Sequence, residues 1–217
     1  MDFFNSPFKE DRKFVIKYVN TLTRDNISNA GQHIETLFFD KIFSLLLRYD
    51  KDDMNKLMIF DILCNLINHE QHRAKLANQG YLAKIYQSMR IGEIDDKKLT
   101  KLSWLTTLIC YHNDMLEQIV QLRLMAFIIR LVDSKFNATI RSNAVLGISL
   151  LTYHETLFDE LLQNGVIDLV MELSMDRTCD LSVKMNSTLA LVHFALSKKS
   201  IKLLIDRNIM EIFTGLN

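Results

Sequence analysis

A recurrence at 43 residues constrains this chain more than any other feature. The segment NATIRSNAVLGISLLTYH, which begins at Asn137, sets Ile140, Ala144, Gly147, Ile148 and Leu151 on one face at helical spacing. The following ETLFDELLQNG ends at Asn164 and Gly165, and glycine tolerates the left-handed backbone that stops a helix. VIDLVMELSMD supplies a second amphipathic run. LSVKMNSTLALVHFALS then repeats the opening helix, with Val183, Ser187, Ala190, Leu191 and Phe194 in the corresponding places. Ile148 and Leu191, like Asn143 and Asn186, stand 43 residues apart, so the unit is three helices long.

The same unit can be traced along the chain. With Gly165 as marker, apolar residues follow two and five positions later, at Ile167 and Val170. The template recurs at Gly80 with Leu82 and Ile85, at Leu122 with Leu124 and Phe127, at Asn208 with Met210 and Phe213, and more weakly at Leu37 with Phe39 and Ile42. From 37 to 208 the markers are separated by 43, 42, 43 and 43 residues. Polar stretches at 92–96, 133–135 and 176–178 fall at matching points, as loops between second and third helices. Pro7 follows Ser6, a cap and first helical position, so a first helix is predicted over 7–23. Apolar spacing of three and four recurs throughout while alternation of period two is absent, which makes the chain all-α.

The order of a short helix, an Asn-Gly or Gln-Gly turn, a second helix with Ile-x-x-Leu-Val, a loop, and a longer helix of the form IRSNAVLGISLL resembles the armadillo repeat. The resemblance covers about residues 33 to 217 and is best at 137–197. It implies one right-handed α-solenoid domain over 1–217, with about four to five three-helix repeats: a capping helix at 7–23, repeats at 33–68, 69–111, 112–153 and 154–197, and a partial repeat at 198–217. Either the ends are caps or the chain is a piece of a longer array. HEAT repeats are the near alternative, with a similar period but two helices and usually a proline in the first.

Composition narrows the function classes. The 217 residues are 48% hydrophobic and 24% charged, with a formal net charge of zero, so counterion release on a polyanion has no global source and nucleic acid is not an expected partner. No apolar run reaches the roughly 18 to 20 residues that span a bilayer, and Asp2 stands where a secretory signal would be basic. Membrane insertion is not expected. Cys64, Cys110 and Cys179 form no CxxC pair and fit apolar packing in a reducing compartment. The expected location is the cytoplasm, with cytoskeletal or ciliary association by analogy with armadillo proteins.

Armadillo proteins that bind extended basic peptides carry a Trp and, four residues on, an Asn along successive third helices. Residue by residue, the resemblance maps the Trp positions to Asp61, Trp104, Leu146 and Leu189, and the Asn positions to Asn65, Leu108, Leu150 and His193. The ladder is mostly missing, so a lysine-rich peptide is not the expected ligand. In its place Trp104, Leu108, Leu146, Leu150 and Leu189, with His193, form a candidate row for a partner's helix or apolar loop. The competing reading is that neighbouring helices partly cover these side chains, or that the register is off by one residue.

Other constellations carry less. His69, His112 and His154 recur 43 and 42 residues apart, as cap or turn residues. Adjacent repeats stack about 8 to 10 Å apart, too far for one metal to take a ligand from each. His69 and His72 are three apart where HExxH needs four. No phosphate-binding glycine loop or nucleophile elbow is present, so no catalytic, cofactor or metal residue is assigned. The expectation is a non-enzymatic scaffold or adaptor. A structural component of a cytoskeletal or ciliary assembly is the alternative, and an enzyme-regulating module or cryptic enzyme is the rival from another class.

Overall fold

The computed structural model describes residues 9–24, 41, 53–88 and 94–210. Their helices are α1 (Lys9–Arg24), α2 (Asp53–Ile67), α3 (Glu70–Asn78), α4 (Tyr81–Ser88), α5 (Asp96–Tyr111), α6 (Leu116–Gln121, preceded by a 3₁₀ turn at Asn113–Met115), α7 (Leu124–Leu131), α8 (Ala138–Leu151), α9 (Glu155–Gln163), α10 (Val166–Met175), α11 (Leu181–Ala195) and α12 (Lys198–Asp206). No strand occurs among the described residues. The chain divides into two compact units, Met1–Leu105 and Thr106–Asn217, with the division inside α5.

In the first unit α1 packs on α2, burying Ile16 and Val19 with Phe60, Leu63 and Ile67. Leu76, Leu82, Ile85 and Leu102 extend this core through α3, α4 and α5. Each such side chain contributes about 1.5–3 kcal/mol by leaving water. Helix ends leave carbonyls without intrahelical donors, and buried Arg73 answers one of them: its Nη1 donates to the Ile67 carbonyl at 3.0 Å.

In the second unit the two best-matched helices do what their spacing requires. Ile140, Ala144, Gly147, Ile148 and Leu151 on α8 are buried, as are Val183, Ser187, Ala190, Leu191 and Phe194 on α11. α11 packs along α8, and Asn186 Nδ2 donates to the Ser142 carbonyl and to Ser142 Oγ, both at 2.9 Å. The loops expected at 133–135 and 176–178 lie between second and third helices, and Ile94 and Asp95 occupy the corresponding point before α5. Short polar side chains start the third helices. Asp95 Oδ1 accepts from the amides of Lys97 and Lys98, Asn137 Oδ1 from that of Ile140, and Asp180 Oδ1 from that of Ser182. The expectations at Pro7, Leu37, Phe39, Ile42, 92–93 and Phe213 lie outside the described residues.

One register assignment is corrected. The turn between first and second helices is left-handed at Gly80 (φ 69°), Arg123 (51°), Gly165 (68°) and Asn208 (52°), whereas Leu122 has φ −88°. The marker therefore sits at 123, one residue beyond the one read from the sequence. Met125 and Ile128, two and five residues after it, are buried, while Phe127 is half-buried. In the last repeat Ile209 is buried and Met210 is 65% exposed, the reverse of the expected core position.

Candidate partner-binding surface

Trp104 and Leu108 lie one turn apart on α5, the indole 40% exposed in the first unit and Leu108 half-buried in the second. Within the second unit, Leu146 and Leu150 on α8 are half-buried, and on α11 Leu189 is 39% exposed and His193 half-buried. α8 and α11 are packed together, so these four side chains occupy adjacent helices at the same repeat positions. None of the six is sealed in the core.

The polar groups at the two ladder positions are already engaged. Asn65 Nδ2 donates to Thr23 Oγ1 at 3.2 Å and reaches Asn20 Oδ1 at 3.5 Å, tying α2 to α1. His193 Nδ1 lies 3.0 Å from the Ser149 carbonyl and 2.8 Å from Ser149 Oγ, while Nε2 lies 2.8 Å from Tyr153 Oη. A carbonyl can only accept, so Nδ1 carries the proton and Nε2 accepts from the tyrosine. Asp61, at the first Trp position, is paired with Lys101. An amide that spans a groove to hold a peptide backbone needs free donors and acceptors. Here those groups brace one repeat against the next.

The recurring histidines are the residues that start first helices. His69, His112 and His154 hold extended N-cap conformations before α3, the 3₁₀ turn and α9, none with a side-chain cap bond. His154 is buried and donates Nε2–H to the Cys110 carbonyl at 3.1 Å. His72, whose ring meets that of His69 edge-on at 5.9 Å, has its pKa lowered by burial and then by the charges of His69 and Lys75. Burial pushes the Cys64 thiol up to about 12, with the Asp61 carboxylate adding to the effect, and raises Cys110 as well. Both are buried free thiols, far from the thiolate form that reacts. Among the described residues no three His, Cys, Asp or Glu side chains converge on a point where a metal could sit.

Sequence reading missed one feature of the second unit, a cleft of about 360 Å³ between α6, α7 and α9. Ile119, Val120, Met125, Ala126 and Leu157 line it, with Arg123 and Glu160 also on its wall. Arg123, at the turn whose register the sequence placed one residue early, is one of its wall residues.

Comparison with known proteins bears on the fold. No family model matches the chain, and no curated protein does. Solved structures do. A designed armadillo repeat protein, YIII(Dq)4CqI, superposes with a TM-score of 0.81 at 15% identity over 99% of this chain and 89% of that one. A second, YIII(Dq.V1)4CPAF in complex with the peptide (KR)4, gives 0.82 at 14% identity over 99% and 88%. Another engineered protein gives 0.79 at 15% identity over 100% and 90%. No helix among the described residues is long and apolar enough to cross a membrane. At these identities the likeness speaks for architecture alone, and the architecture is that of the armadillo repeat, an all-α solenoid of three-helix units.

Proposed function

We propose that this chain is a single repeat domain acting as a non-enzymatic scaffold or adaptor, and that it binds a helix or apolar loop of a protein partner through apolar positions of its third helices, Trp104 in the first unit and Leu108, Leu146, Leu150, Leu189 and His193 in the second. The observation that carries this reading is the contrast at the ladder positions. The polar members, Asn65 and His193, hydrogen-bond inside the chain, while of the apolar members Trp104 and Leu189 are exposed and Leu108, Leu146 and Leu150 are half-buried with no polar group to offer. Leucines reward apolar side chains presented at matching spacing and offer nothing to a peptide backbone. A partner whose anchors are apolar is the chemistry that fits, and the charged (KR)4 peptide in complex with one structurally similar designed protein is not.

The non-enzymatic part of the reading draws support from the two buried thiols, held away from ionisation, and from cap histidines that are used to join helices. The test has two arms. Titrating the folded protein with (KR)4 should give no saturable binding. Affinity capture from native cells should recover a protein whose yield falls with Leu150→Asp. Saturable binding of (KR)4, or capture indifferent to Leu150→Asp in a folded variant, overturns the proposal.

A further inference from the structure

The outer face of α11 carries Leu181 (70% exposed), Met185 (63%), Leu189, Val192 (41%) and Leu196 (74%). At about 100° per residue these five side chains fall within roughly an 80° arc, a continuous apolar stripe along the helix. Solvated helices present polar residues there, and scattered single apolar residues need no explanation, but an unbroken stripe does.

The internal repeat shows what this face does elsewhere. Forty-three residues earlier, α8 has Ser142, Ser149 and Tyr153 where α11 has Met185, Val192 and Leu196. Ser142 accepts from Asn186, Ser149 is fully buried against His193, and Tyr153 meets the same ring. That face of α8 is covered by α11 most fully at Ser149, while Ser142 is half-buried and Tyr153, beyond the helix end, is 62% exposed. On α11 the same face is apolar and exposed. α12 continues the pattern, because Ile205 is 64% exposed at the repeat position of half-buried Leu162.

Charge identifies the kind of helix that fits. Asp159 on α9 accepts from Lys199 Nζ at 2.8 Å, an acid meeting the lysine of the following repeat. Forty-three residues on, the equivalent of Asp159 is Lys202, with Lys198 exposed one turn before it and Lys184 half-buried on α11. Asp206 is the carboxylate of α12, and Arg207 beyond it is paired with Asp168. A helix bringing a lysine to this place, as α12 itself does to α9, is repelled. A second copy of the chain brings the same lysines. A helix bringing carboxylates is attracted.

We infer that Met185, Val192 and Leu196 on α11, with Lys202 and Ile205 on α12, form a docking face for an amphipathic helix of a partner protein whose apolar stripe is flanked by carboxylates. This face meets the row proposed above at Leu189, and the five residues named here are not part of that row.

The probe is a dye-labelled helical peptide with leucines spaced four, four, three and four residues apart and flanked by glutamates, compared by fluorescence anisotropy with a twin flanked by lysines. The glutamate peptide should bind at least about tenfold more tightly. Val192→Asp and, independently, Met185→Lys should weaken it about tenfold or more, and Lys202→Glu should narrow or reverse the preference. Both apolar positions are exposed, so circular dichroism of the variants should match the parent. Trp104→Ala should leave this peptide's affinity unchanged, which separates the face from the row. Equal affinity for the two peptides, or indifference to both Val192→Asp and Met185→Lys, overturns the inference. So does a sedimenting dimer that Val192→Asp abolishes and the glutamate peptide does not displace, since the occupant is then a second copy.

Discussion

Gly147 on α8 faces Ile128 on α7 with no room between them: a β-carbon at position 147 would lie 3.1 Å from Ile128 Cδ1 and 3.6 Å from Thr107 Oγ1. The third helix approaches its own second helix at the one residue without a side chain. Gly147→Leu should therefore overpack the contact and cost about 1 to 3 kcal/mol, measured by thermal or chemical melting. Adding Ile128→Ala to Gly147→Leu should recover part of that loss. A melting temperature unchanged by Gly147→Leu would show that the contact is not made.

The left-handed turns predict substitutions of opposite sign. A β-carbon at Gly165 would meet nothing within 4 Å, so Gly165→Ala tests backbone strain alone and should destabilise by about 1 kcal/mol. Arg123 already bears that strain at φ 51°, and Arg123→Gly should gain up to about 1 kcal/mol. Denaturant midpoints of the two variants, moving in opposite directions from the parent, check the assignment of the marker to 123.

Acid sensitivity should localise to the loop before α11. Asp176 Oδ1 accepts from the Thr178 hydroxyl at 2.7 Å and its amide at 2.8 Å, and Cys179 Sγ donates to Oδ2; these bonds lower its pKa from 3.8 to about 2. A carboxylate depressed in the folded state contributes stability that is complete above its unfolded pKa and is lost as pH falls through the folded one. The contribution should hold above about pH 4 and disappear toward pH 2. In a carboxylate-resolved NMR titration, Thr178→Val should move the Asp176 midpoint upward toward 3.8, leaving the amide bond as the main residual cause.

Trp104 tests the proposed row most directly. A large indole at the centre of an interface commonly contributes about 2 kcal/mol or more, roughly thirtyfold in affinity. Trp104→Ala should weaken binding of a captured partner by that order while leaving helicity nearly intact, and raising the salt concentration should change little. Binding unaltered by the folded variant would remove Trp104 from the interface.

The sequence by itself determined the class, the period and the buried face of each well-matched third helix. Ile140 through Leu151 and Val183 through Phe194 were legible because helical periodicity is a local property, and these two helices bury the same core positions. It also located His69, His112 and His154 as punctuation, since caps recur with the repeat. What it could not locate depended on partners about 40 residues away or on conformation without a residue signature. Arginine rarely adopts φ 51°, so nothing at Arg123 announced the turn. Asn65 keeps the ladder's residue type, but its partners Thr23 and Asn20 lie about 40 residues away, and so do Ser149 and Tyr153, the partners of His193, a residue assigned to the candidate row. Val192 and Ser149 share a repeat position, yet one is exposed and the other fully buried, because exposure is decided by whether a neighbouring helix lies over the face and not by the face itself.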